Sequence, residues 1–160
     1  MAALSASSRR VPVRRRDIEI ADVRVGPEIP DRVDPQIHGA RSYLGDGRRV
    51  SWSPLRTADT LIAVDAELTH QQVPRSLGHR FGADDPLEFW RLWTTNEVAA
   101  KLLDVPILLW LARYGLPFQV RGVTTKTFQI DDVVISCGWC PADIRHTVSG
   151  PGALIPIGST

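Results

Sequence analysis

The stretch from Thr94 to Pro106 has the pattern of a capped helix followed by a tight turn, and it constrains the fold more than any other part of the chain. Thr94 and Glu97 have the spacing of a capping box, in which the threonine oxygen accepts from a first-turn amide and the glutamate reaches back. Pro106 is tolerated at the start of a second helix, where its missing N–H would have no partner. Four apolar residues recur at helical spacing and form one face: Val98, Ala99, Leu102 and Leu103. The pattern therefore predicts two helices joined by a turn at 104–105.

A second helix and a pair of strands are predicted after this turn. Ile107–Tyr114 is apolar, and the glycine that follows it is well placed to end a helix. Beyond it, Phe118–Val120 and Thr125–Ile130 lie on either side of a glycine turn and predict a compact two-stranded wing. The acidic pair Asp131-Asp132 then opens another helix or an extended segment over 133–136.

These residues together resemble a known family. Thr95 to Pro106 is similar to the opening of the MerR-like and excisionase-like winged helix-turn-helix proteins, which reads TPEEAAKLLGVS. Gly115–Pro117 resembles their GxLP segment, and Arg121–Val133 resembles their wing and closing helix. The resemblance covers residues 94 to 135 and implies that the second helix lies in the major groove of DNA, while the wing contacts the backbone or the minor groove.

The candidate contacts to DNA lie on this module and on a basic arm at the N-terminus. Residues 1–16 hold five arginines and no acidic residue, and a basic arm of this kind can enter a minor groove. A solvated tail that only aids solubility is the alternative. The predicted nucleic-acid-binding residues are Lys101, Arg113, Arg121, Thr124, Thr125, Lys126, Arg14, Arg15 and Arg16.

The predicted second helix is better suited to burial than to base recognition. Recognition helices present polar and basic side chains to base edges and phosphates, whereas this helix has a single charged residue, Arg113. A second hypothesis is therefore a structural or assembly protein, for example of a phage particle, that docks protein partners through Leu109 and Trp110. A homo-oligomer or another protein partner is expected, and a membrane partner is not. The residues leave both hypotheses open.

The whole chain is predicted to be an α+β protein. A strand is predicted within 17–25, and Gly45-Asp46-Gly47 predicts a hairpin. Residues 61–68 fit either a strand or a helix, and their alternation favours the strand. Residues 71–85 have the composition of a loop. The Asp85-Pro86 pair predicts an N-cap with proline at the first helical position. Four parts follow: a disordered arginine-rich arm at 1–16, a β-rich segment at 17–85, the winged helix-turn-helix-like module at 86–136 and an irregular tail at 137–160.

Cys137 and Cys140 form a C-x-x-C pair that could hold zinc. A structural zinc needs four ligands. His146 is the third candidate, and one of three other histidines would complete the set. A redox pair and two small buried thiols are the alternatives. No other cofactor is expected.

No catalytic motif is apparent, so the sequence predicts a non-enzymatic protein, DNA-associated or regulatory in transcription, from a phage or mobile element. The chain lacks an apolar run of about 20 residues, the length that spans a bilayer. Its N-terminus lacks the apolar centre of a signal peptide. We therefore expect a cytoplasmic protein of bacterial or phage origin.

Overall fold

The computed structural model describes residues 23–27, 39–54, 59–81, 85–116, 118–144 and 154–156. The predicted arginine arm and His146 lie outside these residues. The described part is a mixed α and β structure with antiparallel sheets, as the predicted α+β class requires. Its elements, in chain order, are β1 (Val23–Pro27), β2 (Ala40–Tyr43), β3 (Arg48–Trp52), β4 (Thr60–Leu68), α1 (Arg75–Phe81), α2 (Pro86–Leu103), α3 (Ile107–Tyr114), β5 (Phe118–Val120), β6 (Thr124–Ile130), β7 (Val133–Pro141) and β8 (Leu154–Pro156).

Strands β1, β3 and β2 form one antiparallel sheet with β3 in the middle. The predicted hairpin joins β2 to β3 and is confirmed. Its turn uses Gly47 at φ 85°, a conformation that costs glycine little. The Asp46 carboxylate accepts from the Arg48 amide at 3.0 Å and closes the turn. The strand predicted within 17–25 is observed as β1 from Val23, and the residues before it lie outside the described part.

Strands β4, β7 and β6 form a second antiparallel sheet with β7 in the middle. The strand predicted over 61–68 is confirmed as β4, which pairs along its whole length with β7. β7 is a nearly continuous apolar run and is buried on both faces, as a central strand should be. It reaches Pro141, so the prediction of an irregular tail from residue 137 is wrong for 137–141. The β4–β7 pairing also joins the predicted 17–85 segment to the rest of the chain in one sheet.

Helix α2 corrects the central prediction for the helix-turn-helix unit. The Asp85 carboxylate accepts from the Leu87 amide at 3.0 Å with Pro86 at the first helical position, so the predicted cap is confirmed. From there the helix runs unbroken to Leu103. The predicted start at Thr94 is wrong because nothing stops the helix before it. Thr94 lies inside the helix, and its hydroxyl bonds back to the Arg91 carbonyl at 3.3 Å.

The predicted wing does not form. β5 pairs with β8, and β6 pairs with β7, so Phe118–Val120 and Thr124–Ile130 are not partners. Asp131-Asp132 does not start a helix; it is the two-residue turn of the β6–β7 hairpin, with Asp131 at φ 50°. Two-residue hairpin loops favour residues that tolerate positive φ, and aspartate is among them. The extended alternative predicted over 133–136 is confirmed, because these residues begin β7, and the helix alternative is wrong.

The layers are the β1–β3–β2 sheet, the β4–β7–β6 sheet and helix α2. The first interface is apolar and includes Trp52, Val64 and Ile135. On the opposite face, α2 contacts β7 closely at Gly138, where an added Cβ would overlap Val98 Cγ1 and lie 3.3 Å from Leu102 Cδ1. Helix α3 packs against the far side of α2.

Helix α1 lies where the sequence predicted only loop over 71–85, so that prediction is wrong for Arg75–Phe81. None of its residues is buried, and it lacks the apolar face that a periodicity search detects. No helix in the described part of the chain is long and apolar enough to cross a membrane.

Candidate functional site

The turn between α2 and α3 sets the position of α3, which carries two exposed leucines. Asp104 adopts the left-handed conformation at φ 59° and ψ 42° and ends α2. The Val105 amide then bonds to the Ala100 carbonyl at 2.9 Å. α3 starts two residues later and ends at Gly115, as predicted. The predicted pair of helices joined by a tight turn at 104–105 is therefore confirmed.

Trp110 fixes how α3 is rotated on α2. Its side chain is buried among Ala99, Ala100 and Leu111, and its indole N–H donates to Asn96 Oδ1 at 3.0 Å. A buried indole that has its partner is costly to rotate outward. The predicted role of Trp110 as a partner contact is thus corrected, because this residue is part of the core.

Because Trp110 faces the core, the opposite side of α3 faces solvent. Leu108 is 69% exposed and Leu109 is 63% exposed. Two further exposed residues complete this surface, which we call the outer face of α3: Leu108, Leu109, Ala112 and Arg113. It is a small apolar surface with one cation at its C-terminal end.

The predicted DNA contacts lie on several different elements of the fold. Lys101 donates to Asp65 Oδ1 at 2.7 Å and to the Val64 carbonyl at 3.3 Å, so its ammonium is held within the fold. Arg113 is exposed on α3 and lies 5.3 Å from the Tyr114 ring centroid. Lys126 lies over the Trp139 ring, on the face of the β4–β7–β6 sheet opposite α2.

The remaining predicted contacts lie near the start of β6 and in the N-terminal arm. Arg121 is exposed in the turn before β6, and Thr124 and Thr125 are half-buried at the start of that strand. Arg14, Arg15 and Arg16 lie outside the described residues. Val120 and Val123, which lie on either side of Arg121, pack in the same cluster as Trp110 and Leu111 of α3. DNA binding stays a prediction.

The two cysteines lie on opposite faces of β7. Cys137 packs in the core between the two sheets, while Cys140 packs beneath α2 with Ala63 and Val98. Residues three apart in a strand point in opposite directions, so the C-x-x-C spacing does not create a ligand pair here. Among the described residues no group of three His, Cys, Asp or Glu side chains is placed to hold a metal ion. Burial also raises the pKa of the Cys137 thiol to about 12, which makes it a poor nucleophile.

Three carboxylates between β4 and α2 were missed as a group by the sequence analysis: Asp65 and Glu67 on β4 and Glu97 on α2, here called the carboxylate group. Asp65 is 5% exposed, and burial raises its pKa, opposed by the Lys101 ammonium and the Ser42 hydroxyl. Burial, followed by the negative charges of Asp65 and Glu97, raises the pKa of Glu67 to about 7. Burial and the charge of Asp65 likewise raise the pKa of Glu97.

The sequence did hold a signal for this group. Asp65 and Glu67 alternate with Val64, Ala66 and Leu68 along β4, which normally indicates a strand with one solvent-facing side. α2 covers that side, so Asp65 is buried and Glu67 is half-buried instead. The presence of a helix above the strand was the missing information.

A hydroxyl cluster lies beside the carboxylate group. Ser136 Oγ is 2.8 Å from Thr94 Oγ1 and 2.7 Å from Thr127 Oγ1, and Thr95 Oγ1 is 2.8 Å from Thr127 Oγ1. Asp65, Ser136 and Thr127 are directly paired across three strands, so they form one polar row under α2. The hydroxyls satisfy one another, and this row anchors the helix on the sheet.

Comparison with known proteins adds one similarity. No family model matches this sequence, and no solved structure matches it. The chain is 38% identical over 65 residues to E3 ubiquitin-protein ligase SINA-like 11 of Arabidopsis thaliana, a match that covers 40% of this chain and 19% of that protein. The matched region thus spans about a fifth of the length of the relative. The match contradicts the prediction of a non-enzymatic protein, because the relative is an enzyme.

Proposed function

We propose that this chain is a protein-docking unit in ubiquitin ligation, and that the outer face of α3 is its contact surface. The observation that carries the proposal is the exposure of Leu108 and Leu109 on a helix whose other side is fixed by Trp110. Burying a leucine side chain stabilises an interface by about 2 kcal/mol. Two adjacent leucines, exposed on a helix that Trp110 holds in place, therefore offer an apolar face that a groove in a partner can bind.

The similarity to an E3 ubiquitin-protein ligase supports a protein as the partner. A ligase works by holding a ubiquitin-charged conjugating enzyme and a target protein together. It can do so through docking surfaces alone, without a covalent intermediate. Buried Cys137, with its raised pKa, does not fit the alternative of a thiol that accepts ubiquitin.

The charge on the outer face of α3 indicates which side chains a partner would place against it. Arg113 is the exposed cation of this surface, one turn after Leu109 on α3. A complementary surface would present apolar side chains to Leu108 and Leu109 and a carboxylate to Arg113. We therefore expect the partner to contribute an apolar segment flanked by acidic residues.

A single-turnover discharge assay tests the proposal. Conjugating enzymes charged with labelled ubiquitin are mixed with the full chain, and loss of the thioester is followed over time. We expect at least one conjugating enzyme to discharge several-fold faster. Leu109→Asp should abolish the acceleration, because it places a charge in the contact. Tyr43→Asp is the matched control, since Tyr43 is 55% exposed on β2 and far in sequence from α3.

The outcomes separate the candidate functions. If no conjugating enzyme in a broad panel responds, or if Leu109→Asp behaves like the unaltered chain, the docking role in ligation is wrong. Anisotropy of labelled duplex DNA at two salt concentrations is measured alongside. Salt-sensitive binding that depends on Arg113 or Arg121 would support the sequence-based DNA prediction instead.

A further inference from the structure

Strand β6 is the outer strand of the β4–β7–β6 sheet, and in the described part of the chain it pairs with β7 alone. The far edge of such a strand presents backbone N–H and C=O groups that can pair with another strand. Proteins usually protect an edge with proline, charged side chains (especially lysine), a bulge or a very short strand. β6 is seven residues long, TTKTFQI, with neither proline nor acid and with one charge, Lys126. Apart from Lys126, β6 therefore lacks these protections, and within the described part of the chain its outer backbone groups are available for pairing.

We propose that β6 pairs with β6 of a second copy of this chain, antiparallel and centred on Thr127. The two three-stranded sheets would then join into one continuous sheet. This register pairs all seven residues of each strand. The proposal is independent of the docking role of α3, because it uses a different surface.

The faces of the two sheets match in this register. Thr127 contacts Thr95 of α2, so the odd-numbered residues of β6 lie on the helix side. Phe128 packs with the core between the sheets, and Lys126 lies over Trp139, so the even-numbered residues lie on the other side. Directly opposed residues of antiparallel strands share a face. Both copies would thus place their helices on the same side of the joined sheet.

The side-chain pairs that result are favourable. Lys126 lies opposite Phe128 of the second copy, which brings an ammonium group to an aromatic ring. Thr124 lies opposite Ile130 of the second copy and covers part of a side chain that is 36% exposed. A register centred on Lys126 would instead place two ammonium groups opposite each other, which is unfavourable. Of these two registers, the charge of Lys126 favours the one centred on Thr127.

A charge-swap experiment tests the pairing and its register. In this register Thr125 lies opposite Gln129 of the second copy, and the same pair occurs twice. The double variant Thr125→Lys, Gln129→Lys creates two lysine–lysine pairs, while Thr125→Lys, Gln129→Glu creates two lysine–glutamate pairs. Within one strand the two positions are about 13 Å apart, so their intrachain interaction is weak. Both variants lose the bond from Gln129 to the Asp131 carbonyl, so that loss cancels in the comparison.

Sedimentation equilibrium of the full chain gives the dimer dissociation constant for each protein, and circular dichroism confirms that each is folded. We expect the unaltered chain to dimerise. The lysine–glutamate variant should dimerise at least tenfold more tightly than the lysine–lysine variant, since each cross-strand charge pair contributes up to about 1 kcal/mol. If the unaltered chain and the lysine–glutamate variant are both monomeric at the highest concentration, the proposal is wrong. Equal dissociation constants for the two variants would overturn it as well.

Discussion

The two faces of the β4–β7–β6 sheet are built from the same strands but hold their neighbours in different ways. The face toward the β1–β3–β2 sheet is apolar, with Val50, Trp52 and Ile135 fully buried. The face toward α2 mixes apolar contacts with the carboxylate group and the hydroxyl cluster. The interface between the two sheets is thus stabilised by close apolar packing. The interface with α2 is stabilised largely by charge and hydrogen bonding. Substitutions that leave a cavity should therefore destabilise the protein most at the first interface. A change of pH should affect stability mainly through the second.

The largest effect is expected on the apolar face. Ile135→Ala removes a side chain with no exposed surface and leaves a cavity, so the free energy of unfolding should fall by about 3 kcal/mol. Urea unfolding measures the change. Leu108→Ala is the matched control, because this side chain is 69% exposed and should change stability by less than about 0.5 kcal/mol. Equal losses in the two variants would mean that the sheet-to-sheet interface is not a tightly packed core.

The next effect is expected from the ion pair on the α2 face. Lys101→Met keeps the apolar stem but leaves the buried Asp65 carboxylate without its cation. Breaking a fully buried pair costs about 3–5 kcal/mol. Because the Lys101 side chain is 37% exposed, solvent screening reduces this cost. We expect the free energy of unfolding to fall by about 2 kcal/mol. Adding Asp65→Asn should recover part of the loss, and a double-mutant cycle measures the coupling. A strictly additive double variant would contradict the pairing.

The pH response should separate the two faces most directly. Glu67 has a pKa of about 7 in the fold, above the ordinary value, so the folded protein binds the proton more tightly than the unfolded chain does. Its contribution to stability is complete below the unfolded pKa and is lost as pH rises through about 7. We expect a loss on the order of 2 kcal/mol between pH 5 and pH 8.

Glu67→Gln should reduce this dependence, as measured by urea unfolding at each pH. Part of the slope should remain, because burial also raises the pKa values of Asp65 and Glu97. Asp46 and Asp132 do not interfere, because their pKa values are lowered, chiefly by hydrogen bonds from Arg48, and they are already ionised at pH 5. Glu88→Gln, in the first turn of α2, is the control and should keep the slope. A slope that Glu67→Gln leaves unchanged would show that Glu67 is not the group responsible for it.

The smallest effect is expected from the hydroxyl cluster. Ser136→Ala removes bonds to Thr94 and Thr127, and the threonines keep other partners. The unfolding free energy should therefore fall by only about 1 kcal/mol. Denaturant unfolding at fixed pH measures it, and the pH slope should not change. A loss as large as that of Lys101→Met would indicate that the hydroxyls, rather than the ion pair, anchor α2.

The sequence predicted those elements whose signals are local. The Asp85-Pro86 cap, the Gly45-Asp46-Gly47 hairpin and the strand over 61–68 are all confirmed, because a turn, a cap or an alternation is decided by neighbouring residues. The turn at 104–105 belongs to the same class.

Predictions that depended on which elements meet were less successful. The wing required β5 to pair with β6, but β6 pairs with β7 across a two-residue turn. A Thr-x-x-Glu spacing marks a helix start only where the preceding residues are not already helical, and here Asp85 had started the helix nine residues earlier. The carboxylate group was missed for a similar reason, since the alternation along β4 does not reveal the helix above it. Tertiary contacts decide such cases.

The close approach at Gly138 has a consequence for binding. Because Val98 and Leu102 occupy the space that a side chain at 138 would fill, α2 is seated in a depression of the sheet. α3 is tied to α2 in turn through the Trp110–Asn96 bond. Any molecule that binds the leucines of α3 therefore meets a preorganised surface and loses little conformational entropy in ordering it. Substitutions at those leucines should then change the residence time of a complex more than its rate of formation.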